Sequence, residues 1–302
     1  MVFTDRMKLA DLGEEEVVRR LVAGLPQDSR ILVGPGDDCA VVDAGGEDLL
    51  LLKTDAVVSG VHFLETTEPV RIGWKAAARV VSDFGAMGGS ARELLVTLAA
   101  PGDYEVSRVE GFYQGLTRCA EQFGASIVGG ETVGLPTGCP VMLSISGTGR
   151  VPRDIYVTRA GGRAGDRLYV TGQLGGSFES ERHLDFVPRV AEGQWLACHV
   201  RAMMDLSDGL RRDLPRLARA SGCGFQVKLE SLPCHENCKV EQALNDGEDM
   251  ELLFAAEGGE WEDEFRQAFP DVKLTCIGSL QEQGNTDLGK GGWQHFTKGE
   301  EE

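Results

Sequence analysis

Short apolar runs that stop on glycine-and-acid turns recur along this chain, break off near residues 150–166, and then begin again. Ile31-Leu32-Val33 runs into Gly34-Pro35-Gly36-Asp37-Asp38, Cys39-Ala40-Val41-Val42 follows, and Leu49-Leu50-Leu51-Leu52 ends on Thr54-Asp55. Runs of this length, punctuated by Gly, Pro and Asp, predict strands joined by tight turns. Further on the period lengthens. Pro69 is placed to open a helix in which Trp74, Ala77, Ala78 and Val81 fall at helical spacing, with Ser82-Asp83 in its last turn. A strand is expected at 94–98, an amphipathic helix at about 105–123 and another strand at 141–146. Ser126-Ile127-Val128 reads as a strand running into a turn at Gly129-Gly130-Glu131-Thr132.

Residues 150–166 are rich in arginine, glycine and proline, and the pattern restarts after them. Strands are expected at 168–170, 225–229, 250–254 and 274–277, with a glycine-rich loop at 172–176. Helices are expected from Asp208-Gly209-Leu210 to about 220 and at about 260–268. Residues 281–292 read as a loose connection to Trp293, which by default packs on a C-terminal strand. Irregular alternation of this kind predicts an α+β chain, and 302 residues suit two domains, 1–150 and 151–302.

Charge narrows the function. With 48 acidic against 30 basic residues the net charge is −18, which argues against a nucleic-acid partner, since that would need a basic face. Most of this excess, including the tail Gly299-Glu300-Glu301-Glu302, reads as solvated surface. No apolar stretch reaches the roughly 18 residues of a membrane span, and Met1-Val2-Phe3-Thr4-Asp5-Arg6 lacks the layout of a secretory signal. A soluble, cytoplasmic protein is expected. Eight scattered cysteines are then expected to be reduced thiols. Cys234 and Cys238 have no second pair at ligand spacing, so zinc is not expected.

Carboxylates at strand ends and helix edges carry the chemistry: Asp37, Asp38, Asp55, Asp83, Glu131, Asp205 and Asp208. Each taken singly is equally a turn former, and Asp208 before Gly209 is equally a helix cap. Asp83 differs, because its helical neighbours are Val80, Val81, Phe84 and Ala86, and an unpaired charge among them would be costly. Several acids converging from separate loops suit Mg²⁺, a hard ion, and a metal-bound triphosphate. There is no Gly-x-x-x-x-Gly-Lys-Ser/Thr loop, so phosphate donors would come from the Gly129-Gly130 amides and Arg159. Arg159 is equally an ordinary surface residue, and an isolated histidine such as His62 is more often packed and hydrogen-bonded than functional.

One ordered set of motifs begins with Gly36-Asp37-Asp38-Cys39-Ala40, Thr54-Asp55 with Gly60-Val61-His62-Phe63, Ser82-Asp83 with Ala86-Met87-Gly88, and Gly129-Gly130-Glu131-Thr132. Thr158-Arg159-Ala160-Gly161 with Gly165-Asp166, Asp205-Leu206-Ser207-Asp208-Gly209-Leu210 and Gly247-Glu248-Asp249 complete it. In order and spacing the set resembles thiamine-monophosphate kinases, of the aminoimidazole-ribonucleotide-synthetase-like superfamily. The resemblance runs from about residue 10 to Phe296. It implies a two-domain α+β fold, a homodimer paired through the N-terminal domains, and direct transfer of the ATP γ-phosphoryl group to thiamine monophosphate. Asp38, Thr54, Asp55, Asp83, Glu131, Asp205 and Asp208 would hold several Mg²⁺ ions. Gly130, Glu131, Arg159 and Ser207 would contact ATP, and His62, Glu248 and Trp293 the thiamine monophosphate. No covalent nucleophile is expected; catalysis would rest on positioning and charge neutralisation.

The chain departs from that pattern in places. Glu131 stands where aspartate is usual, Met250 where an aromatic is common, and the segment 176–183 is short. Lys53 occupies a place often held by a small hydroxyl residue, and its ammonium would compete with one magnesium ion. Within the superfamily, a selenophosphate synthetase would need a reactive cysteine before Cys39, and a hydrogenase-maturation relative would end on cysteine rather than Glu302. The remaining alternatives are a purine-synthetase type of enzyme and a nucleotide-binding relative without catalysis.

Overall fold

The computed structural model describes residues 7–26 and 28–296 and has two sheets. The N-terminal residues 1–6 and the acidic tail 299–302 lie outside the described residues. Two short helices, α1 (Leu9–Leu12) and α2 (Glu14–Val22), precede the first sheet. That sheet contains β1 (Ile31–Val33), β2 (Ala40–Val42), β3 (Asp48–Val58), β4 (Ser90–Pro101), β5 (Ser126–Leu135) and β6 (Met142–Pro152). Their spatial order is β1-β2-β3-β6-β4-β5, antiparallel except for the β4–β5 pair.

Alternation decides which way this sheet faces. Along β3, Leu49, Leu51 and Val57 are buried while Leu52 and Thr54 are exposed, so one face is packed and the other is open. The packed face meets α3 (Pro69–Ala86) and α4 (Val106–Gln122), and Val80, Val81, Phe84, Phe112 and Leu116 fill the space between. The two helices approach closely because glycine lines their crossing. A Cβ on Gly73 would lie 1.9 Å from the Phe112 carbonyl oxygen, and one on Gly115 would lie 1.9 Å from that of Val70.

The second sheet holds β7 (Arg167–Thr171), β8 (Ala202–Asp205), β9 (Gly224–Val227), β10 (Leu252–Ala256) and β11 (Leu274–Gln281), in the antiparallel order β8-β10-β7-β11-β9. Every residue of β8 and β10 is buried, because helices cover both faces. Four helices belong here besides the short α5 (Arg182–Asp185): α6 (Val190–Leu196), α7 (Leu210–Ala220), α8 (Val240–Asn245) and α9 (Trp261–Ala268). Leu214, Leu217 and Ala243 of α7 and α8 pack on one face, and Leu196 and Phe265 of α6 and α9 on the other.

Helix α3 joins the two halves. Leu184, Phe186 and Met250 from the second half enter the first core, and Trp74 Nε1 donates to the Phe186 carbonyl at 2.9 Å. Almost all of α3 from Ile72 onward is therefore buried, and its polar exceptions must find partners inside.

Two expectations need correction. No turn interrupts Gly129-Gly130-Glu131-Thr132; β5 runs straight through to Leu135. The glycine there answers a packing demand, since a Cβ on Gly130 would sit 1.9 Å from the Val96 carbonyl oxygen of the paired strand. Trp293 lies on no strand; it is 46% exposed in an irregular segment. Strand β8 and helices α1, α2, α5, α6 and α8 were not expected from the sequence. All are short, and β8 carries no alternation because both its faces are covered.

Candidate active site

Four residues, Asp205-Leu206-Ser207-Asp208, organise the site as they leave β8. Glu248 N donates to the Ser207 carbonyl at 2.8 Å, Met250 N to that of Leu206 at 2.9 Å, and Trp293 N to that of Asp208 at 2.9 Å. Two stretches far apart in sequence, 248–250 and Trp293, are thus stitched to one short segment. Asp208 does not cap α7: its carboxylate pairs with Arg216 at 2.6 Å, and Gly209 takes the cap position. The buried Asp213 instead accepts the Ser207 and Asp208 amides, at 3.1 and 2.9 Å. Glu248 and Met250 adopt left-handed backbone, with φ of 63° and 52°. For residues with a side chain that conformation is strained, on the order of 1–3 kcal/mol each, and is held here by the backbone bonds to Leu206 and Ser207.

Asp38, Asp83 and Asp205 converge from the β1–β2 turn, α3 and β8, each offering a carboxylate oxygen within 4.8 Å of the others. All three are buried. Arg159 Nη2 reaches Asp38 Oδ1 at 2.5 Å, Lys53 Nζ reaches Asp83 Oδ1 at 2.8 Å, and Ser82 Oγ donates to Asp205 Oδ2 at 2.6 Å. Asp38 Oδ2 is buried with no hydrogen-bond partner at all. Burial and the neighbouring Asp38 charge push Asp205 up to about 6. Burial, with the Asp205 and Asp38 carboxylates, pushes Asp83 well up against the pull of Lys53. Such a group sets three carboxylates, Asp38, Asp83 and Asp205, against two cations, Arg159 and Lys53. Its donors are all oxygens and one is orphaned, so it fits a hard divalent cation such as Mg²⁺.

A cavity of about 690 Å³ opens beside this cluster. His62, Ser207, Asp208, Glu248 and Trp293 line it, together with Arg79, Phe178 and His295. Arg79 Nη1 holds Glu248 Oε1 at 2.8 Å, and its Nε holds Asp55 Oδ2 at 2.9 Å. The fully buried Lys75 ammonium lies 2.6 Å from Glu248 Oε2, 2.6 Å from the His62 carbonyl oxygen and 2.7 Å from His183 Nδ1. Burial would raise Glu248, but the His183 ring and the charges of Lys75 and Arg79 hold it at about 2. Burial and the Arg79 charge push His62 down to about 4. Its Nδ1 accepts the Val58 amide at 3.1 Å, so the neutral ring carries its proton on Nε2.

Other residues singled out from sequence lie elsewhere. Thr54 is on the opposite face of β3 from Lys53 and Asp55, with its Oγ1 3.0 Å from Ser146 Oγ. Gly130 and Glu131 sit on the exposed edge strand β5. Lys75, Arg79 and His183 went unnoticed in the sequence. A signal was present for two of them: Lys75, Arg79 and Asp83 recur every fourth residue, on one face of an otherwise apolar helix.

This arrangement matches known proteins along nearly its whole length. Residues 36–151 match the family model for the AIR synthase related protein N-terminal domain, and 158–289 that for the C-terminal domain. The thiamine-monophosphate kinase of Aquifex aeolicus is 33% identical over 96% of this chain and 100% of its own length. The chain belongs to the thiamine-monophosphate kinase family. The Escherichia coli K12 member is 32% identical over 82% of this chain and 84% of its own. The solved structure of AaThiL complexed with AMPPCP and TMP superposes with a TM-score of 0.84 at 31% identity, covering 97% of this chain and all of that one. Escherichia coli HypE, a hydrogenase maturation protein, shares the fold alone, with a TM-score of 0.67 at 22% identity over 82% of this chain and 84% of its own.

Proposed function

We propose that the chain is a kinase that transfers the γ-phosphoryl group of ATP directly to thiamine monophosphate, giving thiamine diphosphate and ADP. The observation that carries this reading is the continuity between cluster and cavity. Asp205 leads within three residues to Ser207 and Asp208 on the cavity wall, and Asp83 lies one helical turn beyond Arg79, which lines that wall. Family membership gives the substrates, which bind AaThiL as AMPPCP and TMP.

In this reading Asp38, Asp83 and Asp205 hold Mg²⁺, which when bound neutralises charge on the transferred phosphoryl group. Asp55 and Asp208 would join it only by exchanging Arg79 and Arg216 for the ion. Arg159, held by Asp38 and by the Asp37 carboxylate, and Ser207, on the cavity wall, would contact ATP. On the acceptor side, the ionised Glu248 and the exposed face of Trp293 suit a flat, cationic heterocycle. Neutral His62 offers its Nε2 proton as a hydrogen bond and needs no titration to do so. In this reading no side chain is phosphorylated on the way, and transfer is a matter of position and charge.

Thr54 and Glu131 lie on the open face of the first sheet, where Leu52, Leu95 and Val133 are also exposed. We assign that face to a second copy of the chain, paired through the first sheet, and the reaction to the cytoplasm. Among the described residues no helix is long and apolar enough to cross a membrane, and all eight cysteines are free.

The test is a label. With ATP carrying ³²P at the γ position, one label per turnover should appear in thiamine diphosphate and none on the protein. Label released only as inorganic phosphate, or retained on the chain, would overturn direct transfer.

A further inference from the structure

Among the described residues, Lys53 is the one cation that the three-carboxylate cluster draws from the first sheet. Strand alternation puts Lys53 and Asp55 on the same side of β3, facing α3, with Thr54 turned the other way. The Lys53 ammonium lies 2.8 Å from Asp83 Oδ1, and its side chain is only 22% exposed. Asp55 beside it is already matched by Arg79, and Asp38 by Arg159. Asp205 has only the Ser82 hydroxyl, and Asp38 Oδ2 has nothing. Negative charge is therefore balanced at the β3 side of the cluster and unbalanced at the Asp38–Asp205 side.

We propose that the Lys53 ammonium is a resident cation of this site, filling on the β3 side of Asp83 the position that a divalent ion would otherwise take. The cluster then loads its divalent ion between Asp38 and Asp205, with Asp83 shared between ion and ammonium. A second divalent ion at ammonium distance from Asp83 would meet direct charge repulsion in a poorly screened interior. The protein thus replaces an exchangeable ion with a tethered one: the tether removes the need to recruit that ion from solution, and the site keeps its charge when divalent metal is scarce. This inference rests on the metal-site reading above.

The test counts ions rather than turnover. Bound Mn²⁺ is measured by electron paramagnetic resonance on the full-length protein and on Lys53→Ser and Lys53→Arg. Lys53→Ser should bind one more Mn²⁺ per chain than the unchanged protein, and Lys53→Arg the same number. Equal counts in all three would overturn the proposal, while no Mn²⁺ bound by the unchanged protein would overturn the metal site itself. Lysine acylation followed by mass spectrometry gives a reading that needs no variant. Lys53 should stay protected to the same extent with and without saturating Mn²⁺. An increase of tenfold or more in Lys53 labelling on adding Mn²⁺ would mean that metal displaces the ammonium, and would overturn the proposal.

Discussion

Asp83 and His62 show how single side chains carry separate parts of the chemistry. Asp83→Asn keeps the shape of the side chain and removes a charge that burial already disfavours. It should leave the fold intact by circular dichroism and lower kcat at least about a hundredfold. Near-normal turnover in that variant would remove Asp83 from the metal site. His62 makes the opposite case, a titratable group built not to titrate. Its folded pKa of about 4 lies below the ordinary value of 6.5, so the unfolded chain binds the extra proton first as pH falls. Stability from this group is therefore complete above about pH 6.5 and lost progressively down to about pH 4, by on the order of 1–3 kcal/mol. Urea midpoints across that window should fall in the unchanged protein and fall less in His62→Gln. The pH profile of kcat/KM for thiamine monophosphate should keep the same breaks in His62→Gln as in the unchanged protein, because the ring stays neutral down to about pH 4.

Among the elements, α3 has the most to do: it packs on the first sheet, crosses α4, joins the second half and presents Lys75, Arg79 and Asp83 to the site. Its crossing with α4 tolerates no side chain at Gly115. Gly115→Ala should cost at least about 1–3 kcal/mol by overpacking, read as a lower urea midpoint at unchanged m-value. That α3 is a helix was legible from Pro69 and the spacing of Trp74, Ala77, Ala78 and Val81, because period and start signal agree. The run of β5 through Gly129 and Gly130 was not legible. Glycine usually marks a turn, and only the partner strand's Val96 carbonyl explains why it stands mid-strand here. Carboxylates were legible as a set, yet which of them meet was not. Asp38, Asp83 and Asp205 converge through tertiary packing, while Asp55 and Asp208 are taken up by Arg79 and Arg216, partners sequence spacing alone does not assign. Lys75 escaped notice because a lone lysine in a helix ordinarily reaches solvent, and here its ammonium is fully buried against Glu248.

At the scale of the whole molecule, the two halves divide the work. The first sheet and α3 supply Asp38, Asp83, Lys53 and His62, and the second half supplies Asp205, Ser207, Asp208, Glu248 and Trp293. Neither half alone holds the cluster or the cavity. The open face of the first sheet belongs to the same scale. Light scattering after size exclusion should give twice the chain mass of 32.6 kDa, and Leu95→Glu, which sets a charge on that face, should shift the protein to monomer. The most direct measurement is chromatographic product formation from ATP, MgCl₂ and thiamine monophosphate, with unphosphorylated thiamine and a metal-free reaction alongside. Thiamine diphosphate matched by ADP, formed only with Mg²⁺ and only from the monophosphate, is the expected result. ATP binding without any thiamine diphosphate, or product formed equally without divalent metal, would contradict it.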